Sequence, residues 1–276
     1  MLIKIHIKGE KNMTAIQAII LGAVQGLTEL LPISSSAHLF LIPWLFNWSI
    51  PDSFDVALHF GTLLAIGIFF FKDWIELIKG GYKSFVKKEK NRNGTMFWYI
   101  VLATIPGGII GFLLDHFSSQ YKESFSENPL VIAIALMLMG IILYIVDKNS
   151  KSKTNYEKLT FKQTFLIGLS QALAFIPGVS RSGITMTTGR AMGVDRESTA
   201  KFSFMLSAPI VLGATLLKFS EFQFTFEFLL GVLVSFLVGL VVIKFLLEYL
   251  KKGSFKVFAI YRIIVGMLVL GFIMFK

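Results

Sequence analysis

Two short polar blocks, each beside a proline in an otherwise apolar chain, hold the residues best suited to chemistry. The first is Gln25-Gly26-Leu27-Thr28-Glu29-Leu30-Leu31-Pro32-Ile33-Ser34-Ser35-Ser36-Ala37-His38. The second is Pro177-Gly178-Val179-Ser180-Arg181-Ser182-Gly183. Together they offer a carboxylate, an imidazole, a guanidinium and a set of hydroxyls. The planar fork of donors on Arg181 suits phosphate oxygens. Ser34, Ser35 and Ser36 follow a proline and open a new segment, where serine is a good helix N-cap. Ser180 and Ser182 flank the arginine, and Gly183 lets a backbone come close to a ligand. If both breaks start helices, their N-terminal N–H groups and positive dipole ends converge on one point. Two such ends and an arginine describe a pocket for a group with several negative charges. Pyrophosphate fits it better than a carboxylate does.

The roles divide by chemistry. Gly22, Gln25, Gly26 and Glu29 recur at i, i+3, i+4 and i+7, so they share one helix face. The glycines are expected to serve helix packing. A charge inside a membrane helix is costly, about 2.5–3.5 kcal/mol on insertion scales, so Glu29 is expected to have a function. Phosphoryl transfer needs a nucleophile, charge neutralisation and help for the leaving group. His38 titrates near neutral pH and is the first choice as nucleophile or general base. Ser35 is the competing nucleophile, with His38 as its base. Glu29 would orient His38 or bind Mg²⁺ or Ca²⁺ through oxygen, with Gln25 as a second candidate ligand. Asp55 and His59, one turn apart, are weaker candidates for the same pocket. His6 and His116 read as surface residues, and Arg190, Arg196 and Lys201 as a rim. No GxxxxGK[ST] loop is present, which argues against ATP-driven work.

The elements that hold these residues are set by composition. Of 276 residues, 54% are hydrophobic and 16% charged, too few charges to cover a soluble domain of this size. The mean hydropathy is +0.70. Runs such as 97–114, 130–146, 228–247 and 257–275 are each long enough to cross a bilayer as helix. A soluble enzyme, a DNA-binding domain and a disordered chain are excluded, and no nucleic acid partner is expected. The net charge of +10 reads as loops held at an anionic cytoplasmic leaflet. There is no cysteine, so disulfide and thiolate chemistry are excluded.

Hydrophobic segments are predicted at 14–31, 36–47, 53–71, 95–114, 129–146, 160–176, 181–193, 197–218, 226–250 and 255–275, with an amphipathic one at 73–86. Segments 36–47 and 181–193 are too short to cross and follow Pro32 and Pro177-Gly178. Each therefore suggests a re-entrant hairpin. Fifteen basic residues fall in three connections, within 72–92, 148–162 and 251–256, against Lys122 and Lys218 in the connections between them. The three connections are thereby predicted to be cytoplasmic, with both termini outside. Lys4, Lys8 and Lys11 disagree with that. Residues 1–13 are read as an N-terminal extension or an early start before Met13, and not as a cleaved signal.

The halves also resemble each other. Gly22 to Leu27 matches Gly168 to Leu173 at an offset of 146, and Pro32/Pro177 and Ser35/Ser180 match at 145. The expectation is a single all-α polytopic membrane domain over 1–276. It would be built of inverted repeats at about 14–147 and 160–276, with two re-entrant hairpins meeting near the midplane.

The two blocks resemble those of the undecaprenyl-pyrophosphate phosphatases of the bacitracin-resistance type, and the resemblance runs from about Ala15 to the end. It implies an integral enzyme of the bacterial cytoplasmic membrane. Such an enzyme cleaves the terminal phosphate from the isoprenyl pyrophosphate carrier and returns the monophosphate to cell-wall synthesis. It also implies stimulation by a divalent cation, a site opening to the outer face, and room for a homodimer. Glu29 matches the family's fixed carboxylate, Gln25 its variable Glu/Gln position, Ser35 and His38 its serine and histidine, and Ser180 and Arg181 the second-half pair. Gln25 removes one carboxylate, and Ala37 stands where glycine is common. Two rivals remain. A secondary transporter or flippase of an isoprenyl phosphate needs the anion site but no nucleophile. An acid-phosphatase-like lipid phosphatase needs a histidine where this chain has Thr187.

Overall fold

The computed structural model describes residues 13–117 and 128–275, with the side chains of 114–117 left aside. Lys4, His6, Lys8, Lys11 and Lys122, the side chain of His116, and all of the N-terminal extension except Met13 lie outside the described residues. Among the described residues there are eleven α-helices, three short 3-10 helices and no strand beyond the single bridge Thr154–Val194. The helices are α1 (Ala15–Thr28), α2 (Ser35–Phe46), α3 (Asp52–Phe69), α4 (Phe71–Val86), α5 (Arg92–Phe117), α6 (Pro129–Asn149), α7 (Phe161–Ser170), α8 (Arg181–Ala191), α9 (Arg196–Leu217), α10 (Phe226–Leu250) and α11 (Lys256–Phe275). Six of them, α3, α5, α6, α9, α10 and α11, are long and apolar enough to cross a membrane. The predicted segments match these helices closely, with one correction. The stretch 160–176 is not one helix, because after Ser170 the chain tightens into a 3-10 helix, Gln171–Phe175, ahead of Pro177. Proline disfavours α conformation in the residue before it, and Ile176 is extended, so the helical run stops there.

The helix starts explain themselves. Thr14 and Gln17 form a capping box on α1, and Thr160 and Gln163 form another on α7. Thr14 and Thr160 are 146 apart. The same spacing continues to the breaks. Ser34 caps α2 and Ser180 caps α8, both at positive φ, 78° and 73°. The cap role therefore pairs Ser34 with Ser180, and Ser35 with Arg181. The caps thus keep the offset of 146, whereas Pro32 and Pro177 stand 145 apart.

Packing interleaves the two halves. Helices α1 and α3 pack on α10, whereas α7 and α9 pack on α5, and α6 lies along α11. A Cβ on Gly22 would sit 2.7 Å from the Gly231 carbonyl, and one on Gly26 2.8 Å from that of Ser235. These glycines do serve close packing of α1 on α10. The helix α2 reaches α11 through Trp44 and Phe272, ring centroids 5.2 Å apart.

The three basic connections meet at one end of the molecule. Arg92 donates to the carbonyls of Tyr156 and Leu159. Asp147 receives Arg190 and Arg196, each at 2.8 Å, and the backbone N–H of Phe255 at 3.1 Å. Arg190 is 1% exposed, so this residue, expected on a rim, is instead a buried tie. Lys201 pairs with Asp73 at 2.6 Å. Gln163 near the start of α7 donates to Met192 just past the end of α8, at 3.1 Å. The segment from α7 to α8 thus begins and ends side by side at that basic end.

Candidate active site

The site is built where the two breaks face each other. Past the end of α1 the chain turns through residues 29–33 and reaches Ser34, whose Oγ accepts from the N–H of Ala37 at 3.4 Å and pairs with Ser36 Oγ at 3.2 Å. Past the 3-10 helix, Ser180 Oγ accepts from the N–H of Gly183 at 3.0 Å and pairs with Ser182 Oγ at 3.2 Å. A non-glycine residue in such backbone conformations costs about 1–3 kcal/mol and persists where the surroundings fix it. Glycine would relieve the strain but has no hydroxyl to cap with. The first N–H groups of α2 and α8 lack intrahelical acceptors by construction, so both ends are open to an anion.

Glu29 is the hub. It is the C-cap of α1 and 7% exposed. Its Oε1 accepts from Arg181 Nη2. Its Oε2 accepts from Ser35 Oγ at 2.5 Å and from Gln25 Nε2 at 3.3 Å, and lies 3.3 Å from His59 Nε2. The other ring nitrogen of His59 bonds the carbonyl of Asp55 at 2.7 Å. Both nitrogens of His59 thus face acceptors, the arrangement of an imidazolium that donates twice. Arg181 Nη1 is buried with no hydrogen-bond partner, a donor left over for a ligand.

A cavity of about 330 Å³ opens beside this cluster. Glu29, Ser35, Ser36, Asp55, His59, Ser180 and Arg181 form its polar wall, with Lys218 and Thr215 further along. Ala174, Ile210, Val211 and Ala214 form an apolar wall. A polar head and an apolar flank are what a lipid phosphate needs.

Of the residues expected from the sequence, Glu29, Ser35, Ser36, Ser180 and Arg181 come together on the cavity. Gln25 stands behind Glu29. Ser34 is a cap, and Ser182 donates to the Leu31 carbonyl at 2.9 Å, joining one break to the other. His38 is held elsewhere. Its Nδ1 meets the Ser34 carbonyl at 2.7 Å and its Nε2 the Tyr261 hydroxyl at 2.8 Å, with the rings stacked at 5.7 Å. Ser35 therefore has Glu29, and not His38, as its proton acceptor in this structure. His59 and Asp55, the weaker candidates for the pocket, also line this cavity. Their signal was two titratable groups at i, i+4 in a helix otherwise apolar enough to span.

For a cation, no group of three or more His, Asp or Glu side chains able to hold a metal exists among the described residues. Both oxygens of Glu29 already have partners. The oxygens present suit a cation that arrives on a substrate's phosphates: Glu29, Asp55, and Gln25 Oε1, which is buried without a partner.

Known proteins match this chain over nearly its whole length. The family model described as "Bacitracin resistance protein BacA" matches residues 18–268. The chain is 48% identical to the undecaprenyl-diphosphatase of Pelotomaculum thermopropionicum over 262 residues, covering 94% of this chain and 96% of the relative. It is 45% identical to that of Moorella thermoacetica, covering 94% and 98%. It is 47% identical to that of Caldicellulosiruptor bescii, covering 96% and 99%. With both polar blocks inside the matched span and nearly the whole chain aligned, this multi-pass membrane protein belongs to the BacA family.

Proposed function

We propose that the chain is an undecaprenyl-diphosphatase, hydrolysing undecaprenyl pyrophosphate to the monophosphate and orthophosphate for carrier recycling in cell-wall synthesis. The observation that carries this is the Ser35–Glu29–Arg181 cluster at two opposed helix N-termini on one cavity. A carrier of isoprenyl phosphates would need the anion site but not a hydroxyl bonded to a carboxylate. That pair favours the enzyme.

In the proposed reaction the diphosphate sits between the start of α2 and the start of α8, and the spare donor of Arg181 takes a terminal oxygen. Ser35 Oγ attacks the terminal phosphorus as its proton passes to Glu29. The bond to the bridging oxygen breaks, and its electron pair leaves with the lipid monophosphate, which His59 protonates. Glu29 then passes the Ser35 proton to the neutral His59 beside it; water, deprotonated by Glu29, attacks the phosphoserine, the bond to Ser35 Oγ breaks, and Oγ takes that proton from Glu29 as orthophosphate is released. A divalent cation, held by Glu29 and Asp55 with Gln25 nearby, would neutralise diphosphate charge. His38 takes the role of a prop, fixing the Ser34 carbonyl at the break.

Two re-entrant hairpins in an inverted repeat are the architecture that best fits these features. The paired capping boxes, the paired serine caps and the crossed packing of α1 on α10 and α7 on α5 support it. The site is proposed to open to the outer face of the bacterial cytoplasmic membrane. The basic connections share one end, which the positive-inside rule assigns to the cytoplasm. The cavity runs from the breaks towards Thr215 and Lys218, at the end of α9 remote from Arg196 and Asp147. The test is phosphate release from undecaprenyl pyrophosphate by purified protein in detergent, with and without EDTA. Release that EDTA suppresses is expected. Intact substrate after prolonged incubation with added Mg²⁺ and Ca²⁺ would contradict the proposal.

A further inference from the structure

Arg262 lies in the apolar run of α11 and is 0% exposed. None of the acidic side chains among the described residues forms an ion pair with it. All of its bonds go to main-chain carbonyls. Nε donates to Leu136 at 3.3 Å, Nη1 to Pro32 at 3.1 Å, and Nη2 to Gly178 at 2.8 Å and Val179 at 2.9 Å. Pro32 belongs to the first break, and Gly178 and Val179 to the second. These are carbonyls that neither helix can satisfy. In an apolar interior each would be costly to leave bare. One planar fork answers all three, and in doing so it spans the two breaks.

A second observation points the same way. A Cβ on Gly183 would lie 2.5 Å from Arg262 Nη1. The arginine's far end is usually free to move, but here it is pinned by carbonyls on both sides. Gly183 therefore makes room for this guanidinium, and its lack of a side chain need not be explained by a phosphate. The preceding residue, Tyr261, holds His38 at 2.8 Å, so one turn of α11 contacts both breaks and the helix behind the first.

We propose that Arg262 is a positioning residue. Its guanidinium clasps the two breaks together and sets the distance from Glu29 and Ser35 on one to Ser180 and Arg181 on the other. It touches no substrate, and its importance rests on the phosphatase reading of that site.

The test uses full-length protein in detergent, with kcat and KM for undecaprenyl pyrophosphate and thermal unfolding as the check on folding. Arg262→Lys keeps the charge and loses the fork. It is expected to lower kcat by about 100-fold, the usual effect of misplacing groups by about an ångström, with KM changed less than about threefold. Gly183→Ala, which displaces the guanidinium, should do the same. Adding Gly183→Ala to Arg262→Ala should cost nothing more, because the clash partner is gone. Wild-type kcat in Arg262→Lys, or in Gly183→Ala, would overturn the clasp, as would a rise in KM with kcat unchanged. If Arg262→Ala does not fold, the lysine and alanine single variants decide. If the wild-type protein releases no phosphate, the phosphatase reading fails. The clasp is then judged by binding of inorganic pyrophosphate, weakened in Arg262→Lys if it holds and equal to wild type if it does not.

Discussion

Replacing Glu29 by glutamine removes one charge and changes almost no volume, so its effect can be reasoned from the bonds it makes. The carboxylate receives Arg181, Ser35 at 2.5 Å, Gln25 at 3.3 Å and His59 at 3.3 Å. An amide offers one acceptor oxygen and turns an NH₂, itself a donor, towards groups that donate to this position. Breaking a buried ion pair by removing one member costs about 3–5 kcal/mol in stability. Here the figure is smaller, because the Arg181 side chain keeps 17% exposure to the cavity and an anionic substrate can neutralise it. The larger effect is on the reaction. The proton of Ser35 loses its acceptor, and general-base catalysis is worth about 10²–10⁴ in rate. At about 1.36 kcal/mol per tenfold, that is roughly 3–5 kcal/mol of barrier. Glu29→Gln should therefore lower kcat by about 10³ while KM stays level or falls, since Arg181 is freed to hold phosphate. Steady-state phosphate release over a substrate titration measures both. A kcat within about threefold of wild type, or a higher KM at unchanged kcat, would refute the assignment of Glu29 as base.

Three further outcomes are expected. Arg181→Lys should stay folded and turn over poorly, because a point charge cannot serve Glu29 and a phosphate oxygen at once; near-wild-type turnover would make the fork unnecessary. Gln25→Glu should remain active and lower the Mg²⁺ or Ca²⁺ concentration for half-maximal rate, since carboxylate count tunes affinity at oxygen sites, while Gln25→Ala should cost far less than Glu29→Gln; an unchanged cation profile would remove Gln25 from the cation's surroundings. In this cysteine-free chain, Ser84→Cys should react with an impermeant thiol reagent only from the cytoplasm and Ser220→Cys only from outside, and the reverse pattern would invert the orientation. Ser119, a second position for the outer side, lies outside the described residues.

The sequence made the helices readable because a membrane leaves the backbone few other choices. Boundaries fell within a few residues where Thr14, Thr160, Asp195 and Thr225 supply caps. The two blocks announced themselves as polar residues in places where polarity is costly. What stayed hidden is what depends on distance in space. From the sequence His38 is the expected nucleophile, or the base for Ser35, yet Tyr261, 223 residues away, holds its Nε2. His59 looked like part of a polar helix end, and it reaches Glu29 only because α1 and α3 both lean on α10. Arg262 was visible as a charge within an apolar run, but its role was not, since its acceptors are carbonyls on other segments. At the breaks the halves can be matched in two registers. The prolines match at an offset of 145, and the capping hydroxyls of Ser34 and Ser180, whose role only the structure shows, match at 146.

In the proposed reaction one cavity, lined from both breaks, splits a lipid pyrophosphate with Ser35 and Arg181. The most direct test is to incubate undecaprenyl pyrophosphate with purified wild-type protein, Ser35→Ala and Arg181→Ala in the same detergent and to measure both products. Wild type should give orthophosphate and undecaprenyl phosphate in equal amounts, and neither variant should rise above background while all three unfold at similar temperatures. Equal rates from the three proteins, or unchanged lipid with wild type, would contradict it.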